Sequence, residues 1–530
     1  VLRHNFSLNL LFSVIKKSNQ TITKEELLGI INHTQRVQIL FEVLSDKGEI
    51  NCFFVHEKII EMLISDLEEK ERKSYHRICA EVIEKEYEKD DKVFRLAYHN
   101  LEGDNRNNAY QYNIEAGKKA QSNFSYKQAV RHYYNSLNII RTFGVKSVKA
   151  NISRINLSLD IVDLNMQLGE HDENIHLLEE LQNMAEGLED KNYLVKILFL
   201  LGRNISFIGN NNLAMDYYKK ALPLAEALDH RDILAVIYSS MGRAFVYSAE
   251  YNLAIENLKK GIKLFPPENS LEKLYPLGML GQSYCYLGMK KEALAIVEDL
   301  SSYKYANNEM LKVWSSFYIA VILSYVGEPN RAIEECEKVH DMAKESKITV
   351  LELNSLIILG RANFFTGNYK EAIKNLLRYI NLSIQHHLVF LLYLGYLFLA
   401  ECYTLTGNIA AARNCLEEAL TKHSSHLNHD FIDQWAFRLK TLFEVFSHTP
   451  DYDKGMDIID QAINAAESFG ESGKFTLNKN YAVKFYLLLK MEKIDEAEKY
   501  FEKAITFFKE RDLQNEIELM KKIRTKLQSK

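Results

Sequence analysis

The sequence predicts an all-α, superhelical array of stacked helical hairpins, and three observations carry that reading. Six alanines, Ala214, Ala254, Ala293, Ala332, Ala372 and Ala412, recur at intervals of 40, 39, 39, 40 and 40 residues. Each follows by twelve residues a small residue, Gly202, Gly242, Gly281, Ala320, Gly360 or Ala400, with a further small residue between them at Gly209, Ala249, Gly288, Gly327, Gly367 and Gly407. Two helices approach closely only where side chains are missing, and the middle glycine supplies the sharp turn between them. Finally, the 530 residues include only 6 prolines and 22 glycines against 47% hydrophobic residues, too few turn formers for a strand-rich chain and too apolar for disorder. A chain this long exceeds one compact core, and stacked repeats usually bind rather than catalyse.

Residues 1–65 stand outside the repeat. Their pattern predicts helices near Leu8–Lys17, Lys24–Asn32 and Gln35–Asp46, a stop at Gly48, an extended stretch over Glu49–Val55 and a further helix from about Glu57. Three helices followed by a β-ribbon suggest a small winged-helix-like adaptor. Its third helix, beginning Gln35-Arg36-Val37-Gln38-Ile39-Leu40-Phe41-Glu42, carries little positive charge. A recognition helix needs basic and amide side chains for phosphates and base edges, so nucleic acid is disfavoured as a partner. Charge-rich helices connect residues 66–105, and the array fills 106–530. It starts with a hairpin over Arg106–Arg141 and a degenerate one over Ile152–Ala185 around Gly169. Six regular hairpins run between about Tyr193 and Lys422, and degenerate ones close the array at about Phe431–Phe469 and Leu477–Glu510. The basic tail Lys521–Lys526 reads as the solvated end that a terminal repeat needs.

The net charge of −5 creates no field that would draw nucleic acid or an anionic membrane. Cys52, Cys79, Cys285, Cys336, Cys402 and Cys415 lie far apart without a C-x-x-C pair, which suits reduced thiols in a cytoplasmic protein and supports neither a disulfide framework nor a zinc ribbon. Residues 379–400 lack charge, but their strongly apolar part, Leu388–Ala400, is shorter than the roughly 20 residues a bilayer requires. No membrane association is expected. The chain opens on Val1 without a signal-peptide pattern and reads as a piece of something longer.

Gly202, Gly209, Ala214, Tyr218 and Ala221 in one unit, Gly281, Tyr284, Gly288 and Ala293 in another, and the unit-ending Pro266 resemble the tetratricopeptide repeat over about three quarters of the chain. That resemblance implies protein–protein contact. The leading segment is more specific. Phe54-Val55-His56 is followed by Ile59, Leu67, Arg72, His76, Ala80 and Glu84, then by Leu96-Ala97-Tyr98-His99, Asn108-Ala109, Tyr112 and Ala116-Gly117. This string resembles the junction between winged helix and repeats in bacterial STAND-class signalling ATPases, including maltose-activator-like regulators and their kinase- or cyclase-linked relatives. Val1-Leu2 with Phe6 resembles the segment after their ATPase lid, although Arg3 stands where a glycine is common. The resemblance implies an ATPase domain upstream of Val1 as an intramolecular partner.

Candidate chemistry is sparse. Gly470-Glu471-Ser472-Gly473-Lys474 suggests a phosphate loop, but Ser468 replaces the required first glycine and a helix rather than a strand precedes it; an inter-helix loop is expected. His423, His426 and His429 with Asp430 have metal-ligand spacing, yet a loop offers no fixed geometry, so no metal is expected. His56, His76 and His99 lack a neighbouring nucleophile or carboxylate pair and read as structural hydrogen-bonding residues. No catalytic grouping and no cofactor site emerges.

One constellation remains. In tetratricopeptide arrays the first helix of each hairpin lines the concave face, with positions nine and thirteen directed into it. Here position nine is Arg203, Arg243, Gln282, Val321, Arg361 and Glu401, and position thirteen is Phe207, Tyr247, Tyr286, Tyr325, Phe365 and Leu405. Arginine four residues before an aromatic shares its helical face, where it can stack or grip an acidic ligand bidentately. Trp314 and Phe317 enlarge this surface. The alternative is that the aromatics simply fill space between hairpins. The expected function is a non-catalytic sensor or scaffold that holds a protein or peptide in the groove of Arg203, Phe207, Arg243, Tyr247, Gln282, Tyr286, Trp314, Phe317, Tyr325, Arg361 and Phe365. The second reading is a peptide-responsive DNA-binding regulator resembling peptide-pheromone receptors.

Overall fold

The computed structural model describes residues 5–18, 22–44, 50–86, 89–144, 147–208, 210–248, 250–266, 270–345, 348–385, 392–422, 429–447, 449–468, 470–511 and 513–528. The chain forms two compact units, Val1–Glu189 and Asp190–Lys530.

The first unit opens with β1 (Asn5–Ser7), α1 (Leu8–Lys17), α2 (Lys24–Arg36), β2 (Leu40–Leu44), β3 (Ile50–Phe54) and α3 (Glu57–Ser65). The strands form an antiparallel sheet in the order β1-β3-β2. Ser7 caps α1 by accepting from the Leu10 amide, and Thr23 with Glu26 forms a capping box that starts α2. The third helix expected over Gln35–Asp46 does not form. Helix α2 ends at Arg36, Gln38 adopts a left-handed φ of 58°, and residues 40–44 pair with β3 from Leu40↔Phe54 to Leu44↔Ile50. Pairing with β3 wins: it buries Leu40 and sets Phe41 opposite Phe53, their rings stacked at 5.1 Å, while residues 41–44 stay exposed. The observed module is thus two helices and a three-stranded sheet before α3. The module therefore has no third helix over residues 35–44 to act as a recognition helix.

Next come α4 (Glu69–Glu86) and α5 (Lys89–Glu102), then hairpins α6/α7 (Arg106–Ser122, Tyr126–Phe143) and α8/α9 (Val148–Leu168, His171–Glu186). Gly169 ends α8 with a φ of +78°. His76 and His99 are buried and face each other, Nδ1 to Nδ1, at 3.1 Å across α4 and α5; His56 is exposed at the start of α3.

The second unit contains α10/α11 (Asn192–Phe207, Asn211–Ala227), α12/α13 (Arg231–Tyr247, Tyr251–Leu264), α14/α15 (Ser270–Tyr286, Lys290–Ser301) and α16/α17 (Glu309–Tyr325, Pro329–Glu345). It continues with α18/α19 (Thr349–Phe365, Tyr369–Gln385), α20/α21 (Leu392–Leu405, Ile409–Lys422), α22/α23 (His429–Phe446, Tyr452–Ser468), α24/α25 (Gly470–Lys490, Ile494–Glu510) and α26 (Gln514–Gln528). All six repeat alanines are fully buried. A Cβ on Gly202, Gly242 or Gly360 would fall 2.6 Å from the side chain sixteen residues later, Tyr218, Leu258 or Leu376. The turns at Gly288, Gly327, Gly367 and Gly407 take left-handed φ values of +71° to +84°; Gly209 and Ala249 lie outside the described residues. Gly470–Lys474, expected as a loop, is instead the first turn of α24.

First helices also touch one another in succession, α10 to α12 and onward to α24, so they make a continuous wall. One contact bridges 224 residues: Arg511, just after α25, donates its Nε–H to the Leu287 carbonyl at 3.0 Å, its stem filling the space over Gly288. All six cysteines are free and buried, and burial raises their thiols, Cys52 and Cys415 to about 11 and Cys79, Cys285 and Cys402 to about 12. Neutral buried thiols are poor nucleophiles. The native protein should therefore resist an aromatic disulfide reagent at pH 8 and release six equivalents only after unfolding, as followed by absorbance. Rapid labelling of any native cysteine would contradict this burial.

Candidate functional site

The wall of first helices encloses a cavity of about 610 Å³ in the second unit. Arg203, Phe207, Arg243, Tyr247, Gln282, Tyr286, Trp314, Phe317, Tyr325 and Arg361 all line it; Phe365 does not, although its ring lies 5.2 Å from the Arg361 guanidinium. Six consecutive first helices, α10 to α20, contribute, because each presents the same face once per hairpin. The repeat register thereby gathers residues up to 199 positions apart, from Phe199 to Phe398, around one volume.

Stacking follows a different rule from the one expected within each helix. Arg243 lies over Phe207, in the preceding hairpin, at 4.6 Å, and Arg361 lies over Tyr325, again one hairpin back, at 3.4 Å, closer than its own-helix Phe365. Neighbouring first helices thus bring position nine of one hairpin onto position thirteen of the last. Between these arginines runs an aromatic and polar series. Tyr251 stacks on Tyr286 at 4.9 Å; the Tyr286 hydroxyl accepts from Gln282 Nε2 at 3.0 Å and shares a 3.2 Å hydrogen bond with Tyr325. Trp314 stacks on Tyr318 and meets Phe317 edge to face.

The cavity is electropositive. Three arginines line it against one carboxylate, Glu272. Burial raises the phenols of Tyr247, Tyr251, Tyr275, Tyr286 and Tyr318, so they remain neutral. Arg243 and Arg361 are only 6% and 8% exposed, and neither makes an ion pair among the described residues. A buried guanidinium without a carboxylate is unusual, since desolvation costs several kcal/mol, about, per ion and stacking returns only about 0.5–2 kcal/mol.

Beyond the cavity, Glu401 lies in a mixed-charge cluster that the periodic pattern did not disclose in full. Burial raises its carboxyl, opposed by Lys479, Arg438 and Arg361. Burial also brings Arg438 down to about 10 and lowers Lys479. Arg438 and Lys479 were missed because the last two hairpins lack the glycine–alanine register; a basic side chain on each of their first helices was the available signal. His423 and His426 lie outside the described residues, as do the side chains of His429 and Asp430. Among the described residues, no group of three or more His, Cys, Asp or Glu could hold a metal, and no helix is long and apolar enough to cross a membrane.

A superhelical array of tetratricopeptide-like hairpins, with a ligand-sized cavity on its first helices, is the class of protein this geometry defines. A family model for the tetratricopeptide repeat matches residues 486–510, within the last, degenerate hairpin. Among solved structures, a Rap protein complexed with Competence and Sporulation Factor is 14% identical, with a TM-score of 0.53 over 68% of this chain and 99% of that chain. Looser likenesses, at TM-scores of 0.41 and 0.40, link the chain to aspartyl phosphate phosphatase F from Bacillus subtilis and to a STAND protein with a tetratricopeptide repeat sensor from Pyrococcus horikoshii. The former is 14% identical over 69% of this chain and 96% of that one, the latter 16% identical over 83% and 65%. At 14% identity the likeness to the Rap protein is one of fold. No curated protein matches.

Proposed function

We propose that this chain is a non-catalytic, ligand- or protein-binding sensor module of a larger signalling ATPase or transcription regulator, and that it holds an acidic, partly apolar peptide segment in the cavity. The observation that carries this reading is the pair of buried arginines without ion pairs in an aromatic-walled cavity. Guanidinium groups match carboxylates bidentately, and aromatic faces supply contact area at low entropy cost. Residues 1–65 serve as the adaptor to an upstream ATPase, a role supported by the junction-like string from Phe54 to Gly117. A ligand that fits one curvature of the hairpin stack better than another would shift the balance between states by its difference in affinity for the two.

A glutamate–tyrosine copolymer, fluorescently labelled, tests the cavity reading by anisotropy, with a lysine–tyrosine copolymer as the charge control. The acidic polymer should bind saturably and the basic one should not. Asn354→Trp, a half-buried lining position filled by an indole, should abolish saturable binding, because the indole takes up the volume the ligand needs. Equal binding of both polymers, or indifference to Asn354→Trp, would refute it.

A further inference from the structure

We infer that Arg361 is the anion receptor of the cavity, and that the ligand presents a single anionic head, carboxylate or phosphate, on an apolar body. This rests on the cavity being the binding site, and it separates three arginines that the sequence treats as equivalent.

Arg361 is held in place on several sides. Its guanidinium carbon sits 3.4 Å from the Tyr325 ring centre and 5.4 Å from that of Phe398, and its Nε–H donates to the Ser324 carbonyl at 3.4 Å. Those contacts use the faces of the group and one of its N–H bonds. The two terminal nitrogens make no hydrogen bond or ion pair among the described residues. A guanidinium fixed in plane with its terminal edge unused is a preorganised fork for two oxygens of one anion. Glu401 lies within electrostatic reach but does not pair with it, and Lys479 and Arg438 act on that carboxyl more strongly than Arg361 does.

Arg243 is built differently. Its Nε and Nη2 are sealed from solvent without an acceptor, its face covers Phe207, and Tyr218 and Tyr275 surround it. Those nitrogens offer a ligand no approach, so Arg243 forms part of the wall and adds long-range positive potential. Arg203 is half-buried. The cavity lining also includes Tyr325, Ile357, Leu394 and Phe398, apolar and aromatic side chains that suit an apolar body. The volume of about 610 Å³ falls in the range of pockets that enclose small molecules and short segments.

The test uses two fluorescent dyes of nearly the same shape on the full chain: anilinonaphthalene sulfonate, which is anionic, and N-phenylnaphthylamine, which is neutral. Asn354→Trp identifies the fraction bound in the cavity. The wild type should hold the sulfonate at least about tenfold more tightly than its neutral twin, the worth of one charge-assisted contact. Arg361→Gln should bring the two dyes close to parity, while Arg243→Gln should preserve most of the preference. A preference that survives Arg361→Gln, or that Arg243→Gln removes equally, overturns the assignment. Should Arg361→Gln fail to fold, displacement from the wild type decides instead. Naphthoate or naphthyl phosphate should displace the sulfonate dye and naphthamide should not, the stronger of the two acids naming the anion; equal displacement by naphthamide overturns the inference. If both dyes bind with Asn354→Trp sensitivity but without charge preference, only the Arg361 assignment falls. If neither binds in that way, the cavity reading falls with it.

Discussion

Leucine at Gly360 is expected to destabilise the second unit by about 1–3 kcal/mol, the usual cost of forcing methylenes into a packed contact. The reason is steric and local. A Cβ at this position would sit 2.6 Å from Leu376 Cγ and 2.7 Å from its Cδ2, and Leu376 is fully buried with no room to withdraw. The contact is tested by a double-mutant cycle on chemical denaturation: Gly360→Ala with Leu376→Ala should cost less than the sum of the two single changes, because the truncated leucine vacates the space the new methyl needs. Gly367, seven residues on, provides a contrast. Nothing lies within 4 Å of its Cβ position, but its φ is +81°, so alanine there should cost about 1–2 kcal/mol through backbone strain alone and show no coupling to Leu376. Neutral outcomes at both glycines would mean that the hairpin register is wrong.

That register was legible in the sequence because packing enforces it: helices that cross closely need small residues at fixed spacing, and the buried alanines and left-handed glycines fall where the period places them. Segments with two compatible readings were less legible. Leu40-Phe41-Glu42-Val43-Leu44 can line one helical face or alternate along a strand, and what settles the choice is pairing with β3, a partner the local pattern does not name. Gly470-Glu471-Ser472-Gly473-Lys474 looks like a turn by composition, yet the hairpin context makes it helix. Ten of the eleven expected groove residues line one cavity because one face repeats along six hairpins, but the closest arginine–aromatic contacts join neighbouring hairpins rather than residues of one helix: the helix period is visible in sequence, whereas the offset between adjacent hairpins is not. The Arg511–Leu287 contact has no local signature at all, since it depends on the geometry summed over the intervening repeats.

The second large effect concerns the buried arginines. Were Arg361 kept for stability, methionine there would be damaging. Were it kept for a ligand, methionine should leave the melting temperature unchanged or raise it, because a cation–π contact of about 0.5–2 kcal/mol does not offset several kcal/mol, roughly, of desolvation. The expectation is the second outcome, with the sulfonate-dye preference lost in Arg361→Met. Charge reversal should behave in the opposite way. Arg361→Glu sets a second carboxylate within electrostatic reach of Glu401, whose own carboxyl burial already raises, so a loss of about 3–5 kcal/mol is expected at neutral pH. The sign of its pH dependence follows. A carboxyl whose pKa is higher in the folded than in the unfolded state takes up its proton more readily when folded, so its penalty grows as pH rises above the unfolded value of about 4.3 and shrinks on acidification. The melting-temperature gap between Arg361→Glu and the wild type should therefore narrow as pH is lowered towards 5. A gap that is independent of pH would locate the damage in lost stacking on Tyr325 rather than in charge, and would make Arg361 a structural residue of the wall.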